Sequence, residues 1–379
     1  MMNFVYQSPI RLNFGVGKAD AIGAETAPFG KRAMVVTGGR STRESGLLDR
    51  CLSQLRAEGI AAVVFDKVQQ NPLSTTVMEG AALARQENCD VVVGLGGGSA
   101  NDSAKAIAFM ARNGGDVMDY VFGRASGTAA LPVIAVPTTC GTGTEGNGFA
   151  ILTDPATHDK RGLVSPAIRP VASIIDPALM TTMPRHVAES VIFDAFCHCM
   201  EGRLSSNAND MSVMMDEEGM RRIYRYGAAA CTDPSDLAAW EAVTFASTLG
   251  GLSLASAGSV AAHGIEHPLS GLYNIMHGRG LAAISGNLYA LTLERDAGLE
   301  AFAAVSRCIG GKGYADFSEK LSDLQDALHI RVRLGEEGVR AQDIPWLVDN
   351  CRQNAKGNLA HHPTPLSDED LAEIYRRSL

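Results

Sequence analysis

The first half of the chain alternates short β-branched runs with helical stretches. The runs predict strands at Ala33–Thr37, Ala61–Phe65, Val91–Gly94, Val133–Pro137 and Ala172–Ile175. The helical segments Leu47–Glu58 and Thr76–Glu87 lie between the early strands, so the pattern indicates βαβ units and a mostly parallel sheet. The alternating N-terminal stretch Phe4–Phe14 predicts an initial strand in place of a signal peptide.

After Pro184 the pattern changes to helical periodicity with almost no strand signal. Helices are predicted at Asp236–Ala255, Leu299–Cys308, Tyr314–Leu328, Ile344–Gln353 and Ser367–Arg377. His361 and His362, beside two prolines, predict a polar loop. The sequence therefore predicts an α/β nucleotide-binding domain over residues 1–180 and an all-helical domain over 181–379, and 379 residues suit two domains of ordinary size.

The composition limits the possible partners. Apolar residues make up 46% and charged residues 20%, as in folded proteins with sizeable cores. The net charge of −9 argues against nucleic acid or an anionic membrane as a partner, and no uninterrupted apolar run approaches the roughly 18 residues of a membrane span. Eight scattered cysteines without a CxxC pair predict free thiols in a reducing cytoplasm.

Histidines are scarce but concentrated. His263, His267 and His277 fall within fifteen residues, although the chain has only nine histidines. Upstream, Asp194 and His198 are four apart in a helical pattern, so they share one helix face. His263 and His277 can complete this pair from elsewhere in the fold. One carboxylate and three imidazoles suit one divalent ion such as Fe(II) or Zn(II), and suit Mg or Ca less well.

A glycine-rich turn follows the strand at Val91. Gly96, Gly97 and Gly98 lead from the strand into a helix, where close backbone approach and the unpaired N–H groups of the helix end suit a phosphate. Ser99 at the N-cap and Asp102 three residues later predict a capping box. Position 99 is serine, so the turn departs from the GxGxxG dinucleotide fingerprint.

Two further loops follow predicted strands in the same way. The loop PTTCGTGTE presents Thr138, Thr139 and Thr142 among glycines, and the turn at Gly38 to Arg40 follows the strand at Ala33. Loops on neighbouring strand ends would suit a nucleotide with two phosphates along the carboxyl edge of a sheet.

Six motifs in order carry a resemblance to a known family: GLGGGSANDSAKAIA, PTTCGTGTE, LTDPATHDKRG, IIDPALMTTMP, FDAFCHCMEG and HGIEHPLSGLYNIMHGRG. Together they resemble the iron-containing (group III) alcohol dehydrogenases over nearly the whole chain. The resemblance implies a Rossmann-like NAD(P)-binding domain and an all-helical domain in a dehydroquinate synthase-like architecture, with a catalytic metal in the cleft between them. It also implies a homodimer or larger homo-oligomer, with Phe4–Phe14 as an edge element for it.

The resemblance assigns roles by motif. The metal ligands would be Asp194, His198, His263 and His277, the same set that the chemistry suggests, and His267 would line the substrate pocket as a proton-relay or positioning residue. Glu201 matches a family glutamate that supports the site from behind the ligands or is structural. The implied cofactor-binding residues are Gly96, Gly97, Gly98, Ser99, Asp102, Thr138, Thr139, Thr142, Asn71 and Lys160.

One departure from the family pattern concerns cofactor choice. NAD-preferring members commonly carry an aspartate after the early strand that bonds the adenosine ribose, and this chain has Gly38, with Arg40 two residues later. Without the carboxylate, and with an arginine nearby, a 2′-phosphate is no longer repelled and could be paired. We therefore expect NADP to be accepted, and to be preferred over NAD.

The predicted activity is metal-dependent, reversible hydride transfer between NAD(P)(H) and a small primary alcohol or aldehyde. Three alternatives stay open: a dehydroquinate synthase-like lyase, a metal-free reductase of the maleylacetate reductase type, and a catalytically silent nucleotide-binding protein. Metal content and NAD(P)H turnover separate them.

Overall fold

A computed structural model describes residues 4–379; Met1–Asn3, which belong to the predicted first domain, lie outside the described residues. The strands are β1 (Arg11–Phe14), β2 (Arg32–Gly38), β3 (Ala61–Val68), β4 (Val91–Gly96), β5 (Val133–Pro137), β6 (Phe149–Thr153), β7 (Lys160–Val164) and β8 (Ala172–Ile175). The helices of the first half are α1 (Ile22–Thr26), α2 (Ser41–Glu44), α3 (Leu47–Ala57), α4 (Ser74–Gln86), α5 (Gly98–Met110) and α6 (Val117–Val121).

The second half is helical. Its helices are α7 (Arg185–Leu204), α8 (Asp210–Thr232), α9 (Leu237–Ala257), α10 (Ala261–Tyr273), α11 (His277–Leu293), α12 (Leu299–Cys308), α13 (Phe317–Ala327), α14 (Ile344–Asn354), α15 (Lys356–Ala360) and α16 (Asp368–Ser378). Short 3-10 helices lie at Lys18–Ala21, Thr144–Gly146, Pro166–Ile168, Pro177–Thr182, Tyr314–Asp316 and Ala341–Asp343.

The chain divides into two compact units. An α/β unit contains Ser8–Thr139 and Thr144–Thr182, and a helical unit contains Met183–Leu379, the segment Cys140–Gly143 and residues 4–7. The sequence predicts each domain as one continuous stretch. In the structure, by contrast, four residues of the threonine-rich loop belong to the helical unit.

The α/β unit is built on a six-stranded parallel sheet in the order β1-β8-β5-β4-β2-β3. The five strands predicted from β-branched runs are confirmed, but the initial strand is shorter than predicted and covers only Arg11–Phe14. Successive side chains face opposite sides of the sheet. Met34 and Val36 pack with helix residues such as Ile107 on one face, while Val35 packs with Leu48 and Leu55 on the other. Both faces are therefore buried, as in parallel sheets covered by helices.

The strand order reverses direction beside β2. Strand β3 lies on one side of β2, and β4, β5 and β8 follow on the other. In open parallel sheets, ligands bind outside the carboxyl ends of the strands at such a reversal. The glycine turns after β2 and β4 flank this position.

A two-stranded antiparallel hairpin, β6 with β7, was missed by the sequence reading. Its strands are only five residues each and overlap the two ends of the motif LTDPATHDKRG. The main-chain N–H of Ile151 in β6 donates to the Asp102 carboxylate of α5, at 2.9 Å, so the hairpin is tied to the helix of the glycine turn.

In the helical unit, glycines allow backbones to approach closely. A side chain at Gly251 of α9 would collide with the backbone of Gly143, and one at Gly219 of α8 would strike the sulfur of Cys199 in α7. Gly143 adopts φ +55°, a conformation that favours glycine. The segment Cys140–Gly143 therefore fits against α9 only because both partners lack side chains. All eight cysteines are free and buried, as predicted.

Among residues 4–379 no single helix is long and apolar enough to cross a membrane. Helices α9 and α10 reach the necessary length and hydropathy only when they are taken together, and the chain bends by 107° between them.

His361 and His362 lie in a loop, as predicted, but His362 is buried and not at the polar surface of the loop. The hydroxyl of Thr292 donates to the Leu288 carbonyl oxygen, at 2.9 Å, and therefore accepts from Nε2 of His362, also at 2.9 Å. Within the described chain, Nδ1 of His362 is buried without a hydrogen-bond partner. Protonation would place a second N–H at this position, and burial lowers the pKa of His362 to about 3.

We expect His362 to weaken folding as the pH falls below its ordinary pKa of about 6.5. The folded state keeps the ring neutral down to about pH 3 while the unfolded chain protonates it, so the stability it contributes is present above pH 6.5 and is lost below. Between pH 7.5 and 5.0 this linkage amounts to about 2 kcal/mol. The fall in Tm over this range should be smaller in His362→Gln than in the wild type.

His361→Gln is the matched control because His361 is adjacent but bonds Ser206 and Asn207 near the surface. Its fall in Tm should equal that of the wild type. An equal fall in all three proteins would contradict the proposed linkage.

Candidate functional site

Helix α7 supplies two buried polar side chains on one face. Asp194 and His198 are 3% and 6% exposed and are one helical turn apart. Oδ1 of Asp194 lies 3.7 Å from Nδ1 of His198. A carboxylate and an imidazole are thus held together inside the helical unit, as the sequence predicts.

Helices α10 and α11 bring two further histidines to the same carboxylate oxygen. Oδ1 of Asp194 lies 3.7 Å from Nε2 of His263 and 3.7 Å from Nε2 of His277. The ring of His263 stacks on that of His198, with 4.5 Å between centroids, and is 5.1 Å from that of His277. Oδ1 of Asp194 is therefore the common neighbour of three imidazoles.

These residues fit a divalent ion. Among the described residues, Oδ1 of Asp194 and Nε2 of His263 are buried and have no hydrogen-bond partner, an expensive arrangement for polar atoms unless they bind something else. Two ligands of one ion, with bonds of 2.0–2.2 Å, lie about 3.0–3.5 Å apart, which is close to the observed 3.7 Å. The ligand atoms of Asp194, His263 and His277 all lie within 4.8 Å of one another.

Each of the three histidines also has an oxygen partner at Nδ1. The partners are the Gly141 carbonyl oxygen for His198, at 3.1 Å, Glu201 Oε1 for His263, at 2.6 Å, and Glu266 Oε2 for His277. A hydrogen bond of this kind at His263 fixes the tautomer that carries hydrogen on Nδ1 and leaves Nε2 for a metal. At His277 the Glu266 carboxylate is an ion-pair contact beside Nδ1, and its charge favours hydrogen at the same position. For His198 the nitrogen that lies 3.7 Å from Asp194 is Nδ1, which is also the nitrogen bonded to Gly141, so a ligand role of its Nε2 stays a prediction.

The charges of the cluster are coupled. Burial opposes ionisation of Asp194, but the imidazoles of His198 and His277 outweigh it and hold the pKa of the carboxyl below its usual range. Burial also opposes protonation of His263, but the Glu201 carboxylate, assisted by Asp194, raises its pKa to about 10. Burial lowers the pKa of His198 to about 4. A cation between Asp194 and His263 is thus favoured, and a divalent ion there would replace a proton.

His267 lies beside the cluster. It follows His263 by one turn of α10, is only partly buried, and its ring centroid is 6.4 Å from that of His263 and 5.7 Å from that of His277. Pro268 follows it inside the helix. His267 is therefore near the ligands yet more open than His263, as expected for a residue that exchanges a proton.

The glycine turn after β4 is held by side chains that the sequence reading missed. Gly96 adopts φ +152°, and its carbonyl oxygen accepts from the side-chain amide of Asn101 at 2.8 Å. A side chain at Gly97 would lie 3.2 Å from Thr139. Gly98 begins α5. The backbone of the turn therefore requires glycine at Gly96, while a side chain at Gly97 would crowd Thr139. Asn101 lies inside the motif, and its amide was the sequence feature that could have indicated this support.

The predicted capping box at Ser99 and Asp102 is wrong. The N-cap of α5 is Gly97, and Ser99 lies inside the first turn of the helix. The Asp102 carboxylate instead accepts from the Thr144 hydroxyl and the Ile151 N–H. These partners come from distant segments, which helix-start rules cannot include. A direct contact of Asp102 with pyrophosphate stays a prediction.

The predicted threonines are divided between the two units. In the α/β unit, the Thr138 N–H donates to the Gly96 carbonyl oxygen, at 2.9 Å, and Thr139 lies beside Gly97. Thr142 lies in Cys140–Gly143, the segment that supplies the carbonyl partner of His198 in the helical unit.

Four remaining cofactor residues form two groups in the α/β unit. The Lys160 ammonium donates to Oδ1 of Asn71, at 2.9 Å, and both side chains are buried. Gly38 ends β2, and Arg40 follows with its side chain 85% exposed and bonded to Glu44. Next to this turn is a pocket of about 140 Å³ whose polar lining includes Ser41, Thr42, Ser45, Arg50 and Thr138.

Comparison with known proteins decides the family. Residues 9–177 match the family described as iron-containing alcohol dehydrogenase, and residues 188–379 match the Fe-containing alcohol dehydrogenase family, C-terminal. The chain belongs to the iron-containing alcohol dehydrogenase family. The predicted fold class, an α/β domain and an all-helical domain in a dehydroquinate synthase-like architecture, is confirmed, as is the prediction of an alcohol dehydrogenase.

Relatives of the whole chain are similar at moderate identity. NADH-dependent butanol dehydrogenase A of Clostridium acetobutylicum is 30% identical over 390 residues, covering 100% of both chains. The 1,3-propanediol dehydrogenase of Citrobacter freundii is 31% identical over 385 residues, covering 99% of this chain and 98% of its own. The crystal structure of an archaeal halo-thermophilic Red Sea brine pool alcohol dehydrogenase is 30% identical, covers 100% of both chains and has a TM-score of 0.95.

The two neighbouring histidines of this dehydrogenase should respond differently to substitution. His263→Ala removes a nitrogen that faces Asp194 and should lose the bound metal and nearly all turnover. His267→Ala should retain about one ion per chain and be slower by about 100-fold or more, since general acid–base groups contribute that much. Elemental analysis and aldehyde reduction on the same samples measure both effects. Full metal content and activity in His263→Ala would show the ligand set to be wrong.

Proposed function

We propose that this protein reversibly converts small primary alcohols and aldehydes with NAD(P)(H) and one divalent ion, Fe(II) or Zn(II). The observation that carries the proposal is the buried Asp194 oxygen, 3.7 Å from Nε2 of His263 and of His277, each of which has a carboxylate beside Nδ1. The substrate class is supported by the similarity to butanol and 1,3-propanediol dehydrogenases.

When bound, the ion supplies a Lewis acid at the substrate oxygen, and the nicotinamide gives or takes the hydride. The ligands Asp194, His198, His263 and His277 hold and orient that ion. Since Asp194, His198 and His263 are buried, they also keep water from the reacting groups.

His267 carries the proton in this proposal. It is the more open histidine of α10 and lies one turn from His263. The protonated ring can give a proton to the oxygen of the alcohol product during aldehyde reduction, and the neutral ring can take one during alcohol oxidation, directly or through water, with solvent restoring the starting form.

The α/β unit binds the cofactor. The turn at Gly96, Gly97 and Gly98 offers the N–H groups at the start of α5 to the pyrophosphate, with Ser99 in the same helical turn. Thr138, Thr139 and Thr142 are assigned to the nicotinamide side, and Asn71 with Lys160 to a second contact. Asp102 supports this loop through Thr144.

NADP acceptance is the finer part of the proposal. Gly38 leaves no carboxylate at the position where a ribose-binding aspartate would repel a 2′-phosphate. Arg40 pairs with Glu44, and this exposed pair contributes little energy. Arg40 can therefore exchange Glu44 for a phosphate at small cost.

The cofactor preference is tested by the ratio of kcat/KM for NADPH and NADH. A ratio well below one in the wild type would refute NADP preference. Arg40→Ala should lower kcat/KM for NADPH by about tenfold or more, since a hydrogen bond to a charged group contributes about 1.5–3 kcal/mol, and should leave NADH unchanged. Arg43→Ala is the matched control, because Arg43 already bonds Asp66 at 2.6 Å.

Gly38→Asp tests the same position in the opposite direction. The nearest atom to a side-chain carbon at Gly38 is the Val68 carbonyl oxygen, at 3.5 Å, so aspartate fits without collision. The new carboxylate should repel a 2′-phosphate and shift the preference toward NADH. An unchanged ratio would place the ribose elsewhere.

The four predicted ligands also help to distinguish the metal-dependent enzyme from a metal-free reductase. A metal-free reductase would have no use for a buried carboxylate among three imidazoles, so the arrangement favours the metal-dependent enzyme. A cytoplasmic location and a homodimer stay predictions.

The whole proposal is tested on protein purified anaerobically. We expect about one iron or zinc per chain and reduction of short aldehydes that is lost with a chelator and restored by the ion. If the metal-free protein converted aldehydes at the full rate, the four residues would be positioning residues and not metal ligands. Bound metal without turnover on any aldehyde or alcohol would favour the lyase or an unrelated substrate.

A further inference from the structure

Glu266 is a buried carboxylate for which the sequence analysis assigned no role. It lies in α10, is 0% exposed, and its Oε2 contacts Nδ1 of His277. Its Oε1 accepts from the hydroxyl of Ser270, one turn later in the same helix. That hydroxyl also lies 3.1 Å from the Ile275 carbonyl oxygen, in the connection that leads to His277. Both carboxylate oxygens therefore have partners.

The space for this carboxylate depends on a glycine. A side-chain carbon at Gly280, in the first turn of α11, would lie 2.7 Å from Oε1 of Glu266. Gly280 is three residues after His277 and therefore lies on the same face of the helix. Residues Ser270, Gly280 and His277 thus form a fitted site for one side chain.

His277 needs such support more than the other histidines. It is the most exposed of the four predicted ligands, with its side chain 21% exposed. It is also the first residue of α11, a helix of 17 residues, so it lies at the positive end of the helix dipole. The positive end of the dipole lowers the basicity of the imidazole, and a carboxylate at Nδ1 raises it again.

We propose that Glu266 is a positioning residue that fixes His277 with hydrogen on Nδ1 and thereby sets the affinity of the metal site. The inference rests on the proposed function, because it presumes that Nε2 of His277 binds the ion. Glu266, His267 and His277 also have ligand atoms within 4.8 Å of one another. With both oxygens of Glu266 engaged by His277 and Ser270, the carboxylate acts through His277 and is not itself a ligand.

The test uses the full-length protein and Zn(II) alone as the probe. Glu266→Gln keeps the shape and removes the charge, and Gly280→Ala displaces the carboxylate while all four ligands remain. Both variants should bind Zn(II) about 10- to 100-fold more weakly in competition with a chromophoric chelator. The visible absorption spectrum of the Co(II)-substituted protein should also change, because the geometry at His277 changes.

Asp216→Asn is the matched control. Asp216 is likewise a fully buried carboxylate in the helical unit, and it faces Gly202 and Ser253. Its replacement should leave the Zn(II) affinity and the Co(II) spectrum unchanged, even if the metal-free protein becomes less stable. A loss of affinity equal to that of Glu266→Gln would mean that any disturbed buried carboxylate weakens the site, and would overturn the proposal.

The remaining outcomes separate the two hypotheses. If the wild type binds Zn(II) and Glu266→Gln binds it equally well with an unchanged Co(II) spectrum, the role of Glu266 is refuted while the proposed function stands. A fall from two ions to one in Glu266→Gln would make Glu266 a ligand and overturn the positioning role. A wild type that binds no ion would overturn the metal-dependent function, and the role of Glu266 with it.

Discussion

The buried carboxylate of Asp194 is the constraint on which the helical unit depends. Removing an ionised carboxylate from water is costly unless charge and hydrogen-bonding partners replace the water. Three helices must therefore bring imidazoles to it, and their backbones must come close. Glycines permit this: a side chain at Gly278 would collide with Ser190, and one at Gly141 would lie 2.8 Å from Val191. The buried charge thus requires closely packed helices, and close packing requires small residues around the site.

The α/β unit meets a comparable constraint with a buried lysine. The ammonium of Lys105 in α5 donates to the Thr144 hydroxyl, at 2.6 Å, and to the Phe149 carbonyl oxygen, at 2.9 Å. Burial lowers the pKa of Lys105 to about 8, although Asp102 opposes the shift. One side chain thereby joins the glycine-turn helix to the loop after β5 and to the hairpin. The helix that follows the glycine turn is therefore held in place by a charged and enclosed side chain.

Sequence periodicity predicted the features that depend on neighbouring residues, and missed the contacts that distant segments make. Runs such as Val133–Pro137 specify buried strands by composition, and the i, i+4 spacing of Asp194 and His198 specifies a shared helix face. The predicted capping role of Asp102 was wrong because its carboxylate binds Thr144 and Ile151, which come from distant segments and reach it only in the folded chain. Glu266 was missed for the same reason, since its partner His277 lies on the next helix.

An exposed ion pair near the proposed cofactor site and a buried ion pair near the proposed metal site have opposite consequences. Arg40 and Glu44 are 85% and 63% exposed, so water replaces their contact at little cost and the turn can adapt to a different cofactor phosphate. Glu266 is fully enclosed, and its contact with His277 has no solvent to replace it. We therefore expect cofactor choice to change by substitutions at an exposed turn, whereas a change in the metal geometry requires a substitution inside the packed helices.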